Sequence, residues 1–331
     1  MSKRPIPGKR VFGKQLLALM CAPGLAGKAF ASGNWPERPV RVLVPFPAGG
    51  LADSMIRAVS AQASKTLGTP FVVDNRPGAA GQLMYQLLKQ SAPDGYTLGY
   101  FSTSAAVLSV TNRSLPFDVS KDFEPVTLIG EFNGYLTASA QAPGSTLREL
   151  VEHAKKHPDA LAYGSFGNGS QTHLQLEKML STVGARMTHV PYKGEAPILQ
   201  ALASNEVQFG LLATYPQGFV ESGKVKVLAT TGATRSRRYP QVPTVSESGV
   251  GVLQTPSAWA GLCAPAGLPP AVRAKLTDAL VAAAREPEVV QRLESLGYVI
   301  AAKGPAEVRE ALARDIQYYG EAVKAAKLKL D

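Results

Sequence analysis

From residue 39 onward, short runs of β-branched and aromatic residues alternate with stretches spaced for helices. Such alternation confines a chain to sheets covered by helices. Strands are expected at 41–46, 71–74, 97–101, 136–140, 161–165, 187–191, 207–212 and 225–230. Between them, helical spacing marks 53–67, 82–90, 147–156, 172–183 and 196–205, with Met55, Ile56, Val59 and Ala63 on one face of the first. Runs such as Val42-Leu43-Val44 are apolar throughout, as expected of parallel strands buried on both faces. The last third reads as helices at 270–285, 287–296 and 305–328. Composition shifts at 112–126 and 234–251 read as crossings between two lobes.

The first thirty-one residues differ from the rest. Lys3, Arg4, Lys9, Arg10 and Lys14 precede a short apolar run from Leu16 to Ala22, and the segment ends Ala29-Phe30-Ala31. A basic start, a short apolar stretch and small residues at a cleavage site are the marks of a cleaved secretory signal. The run is too short to span a bilayer, which takes about 20 residues. Cys21 follows the bulky Met20, which disfavours a lipoprotein site. Of the 35 basic residues the segment takes six and of the 25 acidic ones none, so the remainder carries about +4 rather than +10. That balance gives no footing for nucleic-acid binding, which wants a clustered basic patch. Only Cys263 then remains, so no disulfide is expected, and no Cys/His spacing suits a metal. No cofactor is expected either.

Four segments could carry chemistry, each at the carboxyl end of an expected strand, where open α/β sheets bind ligands. Phe46, Pro47, Ala48, Gly49, Gly50 and Asp53 join a strand to a helix whose first amides are free to hold an anion. Asn168, Gly169, Ser170 and His173 do the same further on, with neither dinucleotide-binding nor P-loop spacing. Ser102, Thr103 and Ser104 form a hydroxyl-rich turn, and Tyr192, Lys193 and Gly194 lead into another helix. The chain has no G-x-S-x-G elbow and no H-E-x-x-H motif. An exported hydrolase using Ser170 and His173 is the enzymatic alternative, although Ser170 suits a helix cap better than a nucleophile.

Ordered blocks run through nearly the whole chain: WPERPVRVLVPFPAGG at 35–50, VDNRPGAAG at 73–81, APDGYTL at 92–98, KDFEPV at 121–126, GNGS at 167–170, HVPYKG at 189–194, VPTV at 242–245 and LCAPAG at 262–267. In these the chain resembles the periplasmic substrate-binding proteins of tripartite tricarboxylate transporters, the Bug receptors. The resemblance implies a type II periplasmic binding fold, an α/β architecture of two lobes with a ligand cleft between them. It implies a leader at 1–31, one lobe from 32–131 and 232–331, and a second from 132–231. It further implies a monomeric receptor that closes over a small carboxylate and delivers it to a membrane permease, or reports it to a sensor kinase. All four segments would line the cleft. Where such receptors commonly carry an acidic residue after the strand at 207–212, this chain has Ala213, and Gln208 replaces another. Losing a carboxylate there disfavours a ligand ammonium, so a carboxylate without an amine, with an apolar or aromatic body, is expected.

Overall fold

The computed structural model of the protein describes residues 35–250 and 256–326. The leader expected at 1–31, Cys21 included, and the last two positions of the helix expected at 305–328 lie outside the described residues. The chain opens with β1 (Val40–Val44), α1 (Leu51–Leu67), β2 (Phe71–Asn75), α2 (Gln82–Lys89), β3 (Thr97–Ser102), α3 (Thr103–Thr111) and β4 (Phe123–Phe132). It continues through β5 (Tyr135–Ser139), α4 (Leu147–Lys156), β6 (Ala162–Ser165), α5 (Gln171–Val183), β7 (Thr188–Pro191), α6 (Glu195–Ala203), β8 (Phe209–Leu212), α7 (Gln217–Glu221) and β9 (Val225–Thr230). Then follow β10 (Ala258–Pro265), α8 (Pro270–Arg285), α9 (Pro287–Ser295), β11 (Val299–Lys303) and α10 (Pro305–Ala325).

Local chemistry sets many of these limits. Thr146 and Glu149 cap α4 reciprocally, each side chain accepting the other's backbone N–H. Proline stands in the first turn of α8, α9 and α10, where its missing N–H costs nothing. Gly68 ends α1 in the left-handed region, at φ 65°.

The strands form two sheets, one per lobe. The first has the order β11-β4-β10-β3-β1-β2 and the second β7-β6-β8-β5-β9. The alternation of strands and helices points to parallel, helix-covered sheets, and both sheets are mixed. β1 runs parallel to β2 and β3, but β10 runs antiparallel to β3 and β4, and β11 antiparallel to β4. In the second sheet β5 is antiparallel to β8 and β9. The reason is connectivity: β10 returns from the second sheet and inserts in the middle of the first. Every residue of β10 is buried, so no alternation marked it as a strand.

The segment 112–126 is not a crossing, because β4 belongs to the first sheet; the chain changes sheets between β4 and β5 and again between β9 and β10. The charges that made 112–126 look like a linker sit at the start of β4, where Glu124 pairs with Arg273 at 2.6 Å and with Arg309. α3 was not anticipated at all. β10 bulges against β4 on either side of Gly261 and Leu262, and a side chain at Gly261 would meet the Thr127 carbonyl oxygen at 1.9 Å.

One large core lies about the first sheet, and two smaller ones cover opposite faces of the second. Leu174 of α5 belongs to the first sheet's core, and α5 packs along α10. Lys178 and Glu321 pair at 2.8 Å along that seam. Buried Asp315 on α10 accepts hydrogen bonds from Trp259 Nε1 at 2.8 Å and Thr103 Oγ1 at 3.1 Å, while Thr103 Oγ1 also accepts the Trp259 N–H at 3.1 Å. Cys263 is buried in β10 with its Sγ 3.6 Å from the Gly99 carbonyl oxygen.

Candidate functional site

The turn from β1 into α1 is held open by one carboxylate. Asp53 is 2% exposed, and its Oδ2 accepts from Gly49 N and Arg57 Nε, both at 2.8 Å. Its Oδ1 accepts from Asn75 Nδ2 at 2.9 Å. These donors, the Arg57 bond foremost, hold the Asp53 carboxyl at a pKa of about 2. Gly49 lies at φ 84°, which glycine adopts without strain. Asp53 therefore faces inward and shapes the turn. Gly50, at the helix cap, contributes no side chain, so the first amides of α1 are left for whatever enters.

The turn from β6 into α5 is built differently. Ser170 caps the helix by accepting the His173 N–H at 3.3 Å, and His173 Nδ1 accepts the Gly169 N–H at 3.0 Å. Thr172 Oγ1 accepts the Phe166 N–H at 3.1 Å. The His173 ring stacks on His189 at 3.8 Å, with 7° between planes, and His189 Nε2 lies 2.7 Å from Ser165 Oγ. Tyr163 flanks the pair and donates to Glu177 at 2.5 Å.

Two imidazoles face to face cannot both be charged. Burial, and then the His173 charge, lowers His189 from 6.5 to about 4, and burial lowers His173 against the pull of Glu177. Unfolded, each takes its proton near 6.5, so the stability they contribute is complete above that pH and is lost as pH falls toward 4. Chemical denaturation across this window should show a loss of about 2 kcal/mol, part of the full shift being screened by solvent. His189→Phe, which keeps the stack without the titration, should flatten the profile.

Between the lobes lies a cavity of about 570 Å³. Phe46, Pro47, Ala48, Gly50, Leu51 and Ala52 bring the entry of α1 to it, and Phe166, Gln171, Thr172 and Gln175 the entry of α5. Tyr100, Phe132, Ala258 and Tyr298 form the wall on the side of the first sheet, and Leu211, Leu212 and Ala213 the wall on the side of the second. No lining residue among those described is charged. Helix N-termini and backbone amides are left as the attraction for an anion. An adjoining cavity of about 830 Å³ shares Leu51, Ala213 and Tyr298, and is lined further by Tyr135, Tyr215, Tyr239, Arg237, Arg238 and Glu294.

The structure thus brings Phe46, Pro47, Ala48, Gly50 and Ala213 to the cavity wall. Gly49 and Asp53 stand behind it. Asn168, Gly169, Ser170 and His173 frame the start of α5 without entering the lining. Ser102 caps α3, its Oγ accepting the Ser104 N–H at 3.2 Å and lying 2.8 Å from Ser104 Oγ, and Thr103 is committed to Asp315. Tyr192 donates to Glu206 at 2.9 Å, Lys193 is exposed, and Gly194 precedes α6 at φ 106°. Ala213 is not far from a carboxylate after all: Glu195 Oε2 accepts its N–H at 2.7 Å and that of Thr214 at 3.3 Å. Among the described residues no group of His, Cys, Asp and Glu could hold a metal, and no helix is long and apolar enough to cross a membrane.

Residues 55–326 match the sequence profile of the tripartite tricarboxylate transporter family receptor, TctC. The chain belongs to this receptor family. Members are periplasmic solute-binding proteins, and the Bug proteins are among them. A UPF0065 protein in the gbd 5' region of Cupriavidus necator is 36% identical over 263 residues, 80% of this chain and 78% of that protein. Protein BugT of Bordetella pertussis is 31% identical over 312 residues, 93% and 94% of the two chains. Among solved structures, Rpa4515 of R. palustris with adipate superimposes with a TM-score of 0.74 at 29% identity, covering 88% of this chain and 98% of that one. MatC of Rhodopseudomonas palustris with bound malate gives 0.71 at 31% identity, covering 87% and 100%. What the sequence did not reveal in this TctC receptor is the far wall. Phe132, Tyr298, Leu211 and Leu212 come from distant segments, and buried apolar residues carry no mark that separates a cleft from a core.

Proposed function

We propose that the protein is exported by cleavage of residues 1–31 and binds a small carboxylate outside the cytoplasm, closing its two lobes over the ligand and passing it to a membrane permease. The lobes would be 32–131 with 232–331, and 132–231. The observation that carries this reading is an uncharged cavity lined by helix entries from both lobes. An anion held by backbone amides on both sides favours the closed arrangement over the open one, and that differential affinity is what drives closure. The side chains at the α5 entry, Asn168, Ser170 and His173, and those at 102–104 and 192–194 would then act by shaping the cleft.

A receptor rather than an enzyme is supported by the state of Ser170 and His173. The serine hydroxyl accepts a backbone amide and the imidazole accepts another, so the two are not arranged as nucleophile and base. The carboxylates bound by Rpa4515 and MatC support the ligand class. The test is native mass spectrometry on the processed protein, then thermal denaturation against a panel of carboxylates. One acid should raise the melting temperature by ~5 °C when present at a hundredfold its dissociation constant. A panel without any shift would count against the reading.

A further inference from the structure

The two adjoining cavities share Leu51, Ala213 and Tyr298 but differ in chemistry. The one of about 570 Å³ has no charged residue in its wall, whereas the one of about 830 Å³ is lined by Arg237, Arg238 and Glu294. Either volume alone falls in the range of ~300–1,000 Å³ that takes a drug-sized ligand. A compact acid seated in the uncharged cavity would fill only part of this space.

The charged cavity has a built wall. Tyr215 stands two positions after Ala213, on the loop that follows β8, and its ring stacks on Tyr239 at 3.7 Å with 15° between planes. Tyr135, at the start of β5, meets both rings edge-on, at 5.4 Å and 6.0 Å. None of the three rings belongs to the three cores, and Tyr215 and Tyr239 are half-buried. Rings of this size usually go to a core or a contact surface; here a braced stack lines a cavity. The end of α9, which packs on the first sheet, supplies Glu294 and Ser295, so elements of both sheets reach this space.

The charges of this wall are loosely held. The Arg237 side chain is 92% exposed and lies 3.6 Å from Glu294. Arg238 is exposed, donates through Nη1 to the Ser295 carbonyl at 3.3 Å, and holds its guanidinium carbon 5.4 Å from the centre of the Tyr239 ring. One carbonyl uses one of the five N–H groups of a guanidinium, so Arg238 keeps donors for an anion. Two arginines against one glutamate leave the wall with a positive charge in excess, which draws anions.

Building on the carboxylate-receptor reading, we infer that the charged cavity is a second subsite of the cleft, which takes the far end of an elongated acid: an anionic head at Arg237 and Arg238, on a chain that passes the Tyr215–Tyr239 stack. The near carboxylate lies in the uncharged cavity, and the chain runs from one to the other by Leu51, Ala213 and Tyr298. A short diacid gains nothing from the arginines. A long monoacid lays a methyl group beside them and forfeits the charge-assisted bonds.

The test is calorimetric titration of the processed protein with straight-chain α,ω-diacids from adipate through sebacate to dodecanedioate, each paired with the monoacid of its own length. The best long diacid should bind at least about tenfold more tightly than adipate and than its own monoacid. Replacing both arginines together, Arg237→Gln with Arg238→Gln, should bring that diacid to within about threefold of adipate. Both side chains are exposed, so the circular dichroism of the variant should match that of the parent. Diacids that never exceed adipate, or a preference for the long diacid that survives the double substitution, overturn the second subsite and leave the carboxylate receptor standing. So does a long monoacid that binds as tightly as its diacid. No binding by any acid overturns both.

Discussion

Gly261→Ala is expected to destabilise the protein by about 3 kcal/mol or more, and the variant should fail to accumulate in cells at 37 °C. The added methyl would lie 1.9 Å from the Thr127 carbonyl oxygen, 2.9 Å from its carbon and 3.0 Å from the Leu128 Cα. All three are backbone atoms of a central strand pair, so no side chain can rotate away. Relief would require the β10–β4 bulge to open, and β10 is the strand that joins β3 to β4 in the middle of the first sheet. Gly218→Ala is the control. It sits in α7 with nothing within 4 Å of the new methyl, and alanine favours a helix over glycine. Urea denaturation of the two variants should differ by most of the predicted cost.

Asp53→Ala should lower stability by about 2–3 kcal/mol and weaken ligand binding by about tenfold. The change strands Gly49 N, Arg57 and Asn75 Nδ2, three donors that now meet on one carboxylate. Arg57 is half exposed and can turn to water, which keeps the cost at the lower end for breaking such a pair. The loss in affinity has a different origin: without its anchor the turn at 47–50 samples conformations in which the α1 amides no longer converge on one point. Asp53→Asn keeps an acceptor oxygen and should fall between the two. Denaturation measures the first effect and calorimetric titration the second. Loss of stability with unchanged affinity would show that the turn holds its shape without Asp53.

The fold was legible where local chemistry speaks. α4 and α8 begin and end where their caps and prolines put them, and β9 spans the expected 225–230. It was illegible where tertiary context decides. β10 is buried along its whole length and shows no period, and β4 begins among charges whose partners, Arg273 and Arg309, lie in the last third of the chain. The site divides in the same way. A strand, two glycines and a helix announce the α1 entry. The glycine-rich segment at 167–170 announces a helix start just as clearly, yet the amides of Gly167, Gly169 and Ser170 are bonded within the turn. Sequence places such groups together but does not say whether they are spent internally or offered outward.

With the leader cleaved as proposed, Cys263 would be the last thiol left, and burial pushes its pKa well above that of a free thiol. The thiolate is the form that oxidants and disulfides attack, so the folded receptor is chemically silent in an oxidising compartment. During folding the same thiol is exposed until β10 enters the first sheet. If the chain is exported and cleaved as proposed, no second cysteine would remain to trap it in a wrong internal bridge before β10 is in place.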